Sequence, residues 1–489
     1  MAEPIPGIVT VPILSLLLAA VFISPVLMVL ARVSKAPRII GVYASLVLAY
    51  TLWESLNKAT HSGTLSTRFN QVQGSMILAD GLTYYFTSII LGIGLLSAIY
   101  SLGYVKERIA EFYTLLLVMV LGMVGVFFSG DFVTFFVFWE VMSISSYLLV
   151  AFNYREWEAV EASLKYLIMS STGSAAILFG LSLLYGLTGT LTFDGLSNIL
   201  ASQGVRSELW NMAALVLIVG GLGVNIAMSP FHYWLPDAHP AAPSPISAML
   251  SGVVIKTGVF AMVRVFTLLY PPEMYGWGSG LMALALLTMS IGNLMAALQS
   301  DIKRLLAFSS IANIGYIVLA LSINTPLALA GALLHVMNHA IAKALLFLSA
   351  GCLIESTGTR SLDELSGVGK RMPLSAATYS IGAFSLAGIP GLNSFVSEYA
   401  IILAAFSAGY FVPGAIMLVN VIIGAMYHLR VVQTLFLKPE TAKSSAGQEA
   451  GPAMLAPLLV LAALCVLIGV YSSPFLSIVF QLASHLSQV

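Results

Sequence analysis

The run Leu334-His335-Val336-Met337-Asn338-His339-Ala340-Ile341-Ala342-Lys343 sets titratable side chains four residues apart. On a helix that spacing stacks His335, His339 and Lys343 in one column on a single face. Imidazole exchanges protons near neutral pH, so the column reads as a proton relay, with a structural metal site as the alternative. A zinc-protease reading fails, because Val336 stands where the catalytic glutamate would be. Glu140 and Lys256 lie near the centres of apolar runs, too far from either end to reach water. An ionisable group at mid-membrane costs about 2.5–3.5 kcal/mol on insertion scales, so each requires a partner or a purpose. Glu140 reads either as a neutral acid bonding a neighbouring helix or as a proton-exchanging group, and Lys256 as a cation able to change its charge during a cycle. Glu398 is either a gate or cation ligand, or a carboxylate favoured by the N-terminal end of a half-helix. Lys165, close to Arg155, Glu156, Glu158 and Glu161, either snorkels or joins the buried set. Arg264 reads as an interfacial anchor, and Asp301, Lys303 and Arg304 as end charges or path members in equal measure.

The elements that must hold these groups are interrupted helices. Between Asn225 and Lys256, prolines at 230, 236, 240, 243 and 245 remove backbone donors from what is otherwise one long apolar stretch. In lipid such a break survives only where protein or a water-filled cavity satisfies the freed groups, so His232, Asp237 and His239 are read as lining a polar interior. A second break, Gly388-Ile389-Pro390-Gly391-Leu392-Asn393, stands in a corresponding place. Paired interruptions of this kind point to inverted repeats around a transport site.

Hydrophobic residues make up 59% of the chain and charged ones 9%, against roughly 25% charged in a soluble domain. The composition is that of an all-α, multi-pass membrane protein. Net charge is zero and no basic run occurs, which leaves no signal for nucleic acid. Cys352 and Cys465 sit in apolar runs as packing residues, and no nucleotide, flavin, haem or iron–sulfur motif is present. With about 20 apolar residues per crossing, the sequence predicts about fourteen spans: 8–30, 38–57, 82–102, 112–129, 131–152, 161–187, 210–239, 246–270, 280–298, 301–322, 326–354, 372–408, 412–437 and 453–481. Spans 4–8 and 9–13 form the two five-helix repeats, with breaks on the seventh and twelfth spans. The corresponding units are 1–102, 112–270, 280–437 and, after a flexible linker at 438–452, 453–489.

Arg32, Lys35, Arg38, Lys106, Arg108, Arg155, Lys303, Arg304, Arg360, Lys370, Arg371, Arg430, Lys438 and Lys443 fall on one set of loops and ends; only Lys58, Arg68 and Arg206 fall on the other. The positive-inside rule then puts both termini outside, in the plasma membrane of a prokaryote. Glu3 precedes the first apolar run without any basic residue, so the first span is expected to be retained.

These motifs together resemble a known family. Phe138-Trp139-Glu140, Pro230-Phe-His-Tyr-Trp-Leu-Pro-Asp-Ala-His239, Lys256-Thr-Gly258, Asp301-Ile-Lys-Arg-Leu-Leu-Ala-Phe-Ser-Ser310, His335 with His339 and Lys343, and Gly388-Ile-Pro-Gly391 carry the resemblance. It is to the antiporter-like subunits of respiratory complex I (L, M and N types), of membrane-bound hydrogenase-related complexes, and of Mrp cation/proton antiporters (A and D types). The resemblance implies ion translocation along Glu140, Lys256, His335, His339 and Glu398, with Lys165 and Lys343 at commonly basic positions. Glutamate at 398 is similar to the M type. It also implies no cofactor in this subunit, redox cofactors on partner subunits, and partners among other antiporter-like and small membrane subunits, with a peripheral iron–sulfur arm. The family's lysine on the seventh span is replaced here by Asn225, which implies that Glu140 communicates with Lys256 or that the ion is rerouted. An Mrp-type antiporter subunit and a mainly structural subunit with impaired pumping are the alternatives.

Overall fold

The computed structural model describes residues 12–33, 38–61, 77–202, 208–270 and 276–486. Glu3, Lys35, Arg68 and Arg206 lie outside them. The helices in order are α1 (Pro12–Val33), α2 (Arg38–His61), α3 (Gly81–Tyr104), α4 (Ile109–Phe128), α5 (Phe132–Val150), α6 (Trp157–Thr188), the short α7 (Phe193–Ser202), α8 (Glu208–Asn225), α9 (Leu235–Ala241) and α10 (Ser244–Leu269). They continue with α11 (Gly278–Ala297), α12 (Ile302–Ile323), α13 (Pro326–Thr357), α14 (Pro373–Leu386), α15 (Asn393–Ser407), α16 (Phe411–Leu437), α17 (Pro452–Val470) and α18 (Ser473–Leu486). Among the described residues, 12 helices are long and apolar enough to cross a membrane. The chain is an all-α, multi-pass membrane protein.

Two further apolar segments are interrupted where the prolines and glycines stand. α8 stops at Asn225 and the chain resumes helix only at Leu235. The carbonyl of Val224, at the break, accepts from the Trp234 indole at 2.8 Å as well as from the Ala227 amide at 3.1 Å, and the Ser229 amide donates to Thr288 Oγ1 at 3.0 Å. Side chains thus replace the lost helical partners, as a low-dielectric setting demands. The second break separates α14 from α15. Gly388 and Gly391 take the left-handed backbone there, with φ of +70° and +90°, a conformation open to glycine at little cost. Asn338 Nδ2 donates to the carbonyl of Asn393 at 2.7 Å, and Asn393 Nδ2 returns a bond to the carbonyl of Asn338 at 3.2 Å.

One local arrangement occurs twice. Asp131 caps α5 by accepting from the amides of Val133 and Thr134, and Asp301 caps α12 by accepting from Lys303 and Arg304. Each aspartate also pairs, through an isolated antiparallel bridge, with the segment that follows the next helix: Asp131 with Thr192, Asp301 with Ser361. Close glycine contacts recur in the same way, Gly122 against the backbone of Met142 and Gly292 against that of Ala312.

The protein core is α10, α12 and α13, whose apolar windows are 100%, 100% and 89% buried. Polar groups on these helices must therefore be satisfied by protein. α10 is not a regular α-helix: π-helical turns at Leu250–Val254 and Val265–Leu269 bracket Lys256. Such turns displace one carbonyl from the regular ladder and are common at functional sites.

Two expectations are corrected. Residues 438–452 are not a free linker. Thr441 forms a capping box with Ser444, Lys443 pairs with Glu364 at 2.9 Å, and Glu449 accepts from the Leu374 amide at 2.8 Å at the start of α14. Ser, Thr and Glu side chains that suggest flexibility by composition here bond backbone groups instead. The expected last span, 453–481, is two helices: α17 ends at Val470, and α18 begins again with Pro474 in its first turn. Proline lacks the amide that a continuous helix needs, and tolerates a first turn.

Candidate functional site

α12 is the hub of the buried polar interior. Ser310 Oγ meets Ser251 Oγ of α10 at 2.7 Å, and the carbonyl of Leu306 accepts from Lys343 Nζ of α13 at 2.9 Å. Asn313 Oδ1 lies 2.9 Å from His335 Nε2. Lys256 Nζ donates to the carbonyl of Ser251 and to His339 Nδ1, both at 2.5 Å. The π turn explains the first bond. Ile255 gives its amide to Leu250 instead of Ser251, leaving the Ser251 carbonyl for the ammonium.

The column seen in the sequence is present. His335, His339 and Lys343 are fully buried, and the two imidazole rings are 6.0 Å apart. His335 Nδ1 continues the row to Ser397 Oγ at 3.0 Å, beside Glu398. Glu398 is buried in the second turn of α15, its Oε1 unpartnered, and a Cβ placed on Gly388 would come within 2.9 Å of its Oε2. Lys256, His339, His335 and Glu398 are thus brought together along the middle of the molecule, with Asn393 and Pro390 at the adjoining break. Among the described residues, no three His, Cys, Asp or Glu side chains converge to hold a metal, and both nitrogens of His335 are engaged with Asn313 and Ser397.

Glu140 stands apart. Its Oε1 accepts from Ser174 Oγ of α6 at 2.6 Å. It makes no direct bond to Lys256, so the expected communication between them is not a contact. Asn225, at the end of α8, is 2% exposed, and neither its carboxamide oxygen nor its nitrogen has a partner. A Cβ on Gly258 would lie 3.3 Å from its Oδ1, so Asn225 faces α10 one half-turn beyond Lys256. Pro230 is in the break. His232 stacks on Tyr233 at 4.5 Å with Nδ1 free, and His239 is buried against Phe347 with neither nitrogen bonded.

The remaining charges form a rim of partly exposed ion pairs. Lys165 is about half exposed (49%) and pairs with Glu161 and with Asp237, each at 2.9 Å. Asp237 also takes Arg304 at 3.3 Å. Arg360 reaches Glu158 at 3.0 Å, Asp301 at 3.2 Å and the Pro240 carbonyl at 2.9 Å. These bonds fasten the half-helix α9 to α6 and α12. Of the three residues read evenly between end charge and path, Lys303 alone is buried, donating to the carbonyl of Ala242 at 2.7 Å.

Arg264 is not an interfacial anchor. It is 4% exposed and holds Asp80 through two bonds, at 2.7 and 2.6 Å. Asp80, at the start of α3, gave no sign of this in the sequence, because its partner is 184 residues away. His428 on α16 was also missed. A lone histidine at Tyr427-His428-Leu429-Arg430 carries no motif of its own, yet it is fully buried, with Nε2 3.2 Å from Ser309 Oγ. The only available signal was Ser309 itself, in a stretch whose hydroxyls recur at 309 and 310.

Residues 129–424 match the family model described as NADH:quinone oxidoreductase/Mrp antiporter, transmembrane. Subunit N of the F420H2 dehydrogenase of Methanosarcina mazei is 31% identical, over 96% of this chain and 95% of its own length. Subunit N of the NADH-quinone oxidoreductase of Desulforudis audaxviator is 32% identical, over 84% and 85%. Among solved structures, a chain of the Mrp complex from Dietzia sp. superposes with a TM-score of 0.88 at 25% identity, over 97% of both chains. A chain of the membrane-bound sulfane sulfur reductase, an archaeal respiratory membrane complex, gives 0.86 at 31%, again over 97% of both. The chain belongs to the NADH:quinone oxidoreductase/Mrp antiporter transmembrane family.

Proposed function

We propose that the chain is the ion-translocating, antiporter-like membrane subunit of a redox-driven complex related to complex I. Protons, or sodium ions, pass along the row Lys256, His339, His335 and Glu398. The observation that carries this reading is the juxtaposition of those groups: Lys256 bonds His339, whose ring lies 6.0 Å from that of His335, and His335 bonds Ser397, the residue before Glu398. Retaining so many ionisable groups on fully buried helices is costly unless they act.

The paired caps and bridges at Asp131 and Asp301 support two five-helix units related by inversion. Twelve uninterrupted spans plus the two broken ones support fourteen crossings. The rim of basic residues supports an inner face at Lys165, Arg304 and Arg360, termini outside, and a prokaryotic plasma membrane. Subunit N of an F420H2 dehydrogenase and of NADH-quinone oxidoreductases are relatives. Their names, a dehydrogenase and oxidoreductases, favour redox cofactors on partner subunits, in keeping with the peripheral iron–sulfur arm that the family resemblance implies.

Two observations favour other readings. The superposition on an Mrp chain supports a subunit of an Mrp-type sodium/proton antiporter. The unpartnered Asn225 supports a mainly structural subunit with impaired pumping.

One experiment separates all three. The complex is purified through this subunit, its iron–sulfur centres are read by electron paramagnetic resonance, and gradient formation is followed in vesicles with and without sodium. Redox partners with a gradient abolished by Lys256→Ala support the first reading. Small hydrophobic partners alone support the second. An intact complex whose gradient is indifferent to Glu140→Ala and Lys256→Ala supports the third and sinks the first.

A further inference from the structure

His428 belongs neither to the histidine column nor to the breaks, yet it lies in the same buried interior. Its Nε2 is tied to Ser309 Oγ of α12, and its Nδ1 has no partner. The helices packed around it turn titratable or polar groups toward it. Lys343 of α13 donates to the Leu306 carbonyl of α12 at 2.9 Å, one turn before the Ser309 that holds His428, and His339 lies one turn before Lys343 on α13. The adjoining Tyr427 donates to Asn293 Oδ1 of α11 at 2.9 Å. His335 has both ring nitrogens bonded; His428 has one held and one free.

That half-anchored state has a chemical use. With Nε2–H donating to Ser309 Oγ, Nδ1 presents a lone pair. Uptake of a proton there makes the imidazolium without breaking the Ser309 bond, and release restores the neutral ring. One N–H bond forms and the same bond breaks, so no other reactant is needed. A residue kept only for packing has no need of a buried polar atom left open, which costs free energy.

The geometry points to His428 as a further proton-carrying residue of the ion path, held by Ser309 and exchanging its Nδ1 proton with the Lys343 and His339 region of α13. This inference rests on the ion-translocation reading above. It places a station on α16, off the row from Lys256 to Glu398, with Ser309 as its positioning residue.

The test uses the whole complex in vesicles, comparing the unmodified protein with Glu398→Gln, His428→Gln and Ser309→Ala. Glutamine at 428 keeps a partner for Ser309 but carries no exchangeable charge. The expected result is normal assembly with translocation reduced on the order of tenfold or more in His428→Gln. Ser309→Ala is expected to retain translocation but with a displaced pH profile, because its imidazole has lost its anchor. Translocation by His428→Gln at the unmodified rate overturns the inference, provided Glu398→Gln has lost it. If His428→Gln does not assemble, Ser309→Ala decides, and a pH profile unchanged from the unmodified complex overturns the inference. Absence of any gradient in the unmodified complex instead overturns the reading beneath it, and the inference with it.

Discussion

Lys256 Nζ and His339 Nδ1 lie 2.5 Å apart across the interface of α10 and α13. An ammonium can only donate, so the imidazole must accept at Nδ1 and, when neutral, carry its proton on Nε2, which has no partner in the protein. The pair therefore fixes a tautomer. On the proposed ion path, a proton leaving Lys256 has an acceptor in place, and the open nitrogen of that acceptor is Nε2.

Replacing Lys256 by methionine keeps the length of the side chain and removes the charge and the donor. Translocation by the assembled complex is expected to fall about a hundredfold or more, the usual scale for loss of a proton-transfer group. Stability should change little or rise, since a buried charge is replaced by an apolar chain. Vesicle gradient measurements alongside thermal melting in detergent check both. A Lys256→Met complex that pumps normally removes the pair from the mechanism.

Arg264 and Asp80 predict the opposite balance. Burial opposes the charged form of Asp80, but the Arg264 charge and hydrogen bonds, with those from Thr83, outweigh it and hold the carboxyl below the usual carboxylate range. Removing one partner of a buried pair costs about 3–5 kcal/mol, because the other charge is left alone. Arg264→Met should therefore lower the melting temperature clearly. The double variant with Asp80→Ala should recover part of the loss. Equal melting of Arg264→Met and the unmodified protein contradicts this account.

The strap at 438–452 predicts a pH effect. The Thr359 hydroxyl and the Lys443 ammonium hold the Glu364 carboxyl below its ordinary value. Its contribution to order is therefore present above the unfolded carboxylate value, about 4.3, and is lost as pH falls through the lower folded value. Protection of the amides across 441–446, relative to their intrinsic exchange, should stay constant from neutral pH to about 5 and then fall. High salt should weaken the pair, since both groups are exposed. Exchange in Glu364→Gln should lose that acid step; if the step persists, Glu364 is not its source.

The sequence carried the membrane class, both breaks and the His335, His339 and Lys343 column, because each rests on local facts: apolar length, proline and glycine, and a spacing of four. It did not carry Asp80 with Arg264, Ser309 with His428, or the burial of Lys303. Those depend on which helices become neighbours, and nothing within one helix encodes that. The strap was misread for a related reason. Ser, Thr and Glu in a polar run are compatible with solvent or with capping distant helix ends, and only the position of α14 makes Glu449 a cap.

Asn225 and Ser174 bear on the same question in the first unit, where Glu140 has a hydroxyl partner and no lysine. Ser174 Oγ donates to the Glu140 carboxylate at 2.6 Å, whereas the Asn225 carboxamide bonds nothing in the protein. A typical hydrogen bond contributes about 0.5–1.5 kcal/mol, and a buried polar group left without one costs about 1–3 kcal/mol. Ser174→Ala is therefore expected to cost stability and to disturb translocation, while Asn225→Ala should be near neutral, lost packing being offset by removal of the unpaired carboxamide. Asn225→Lys tests the missing cation itself. At an effective dielectric of about 20, a charge 4 Å from a carboxylate is worth about 4 kcal/mol, enough to alter ion movement past Glu140 if the new ammonium comes that close. The expected outcome is a changed pH dependence of translocation in Asn225→Lys, read in vesicles beside Ser174→Ala. A profile identical to that of the unmodified complex means that Glu140 does not sense this position, and that the absent lysine has no bearing on how this copy moves its ion.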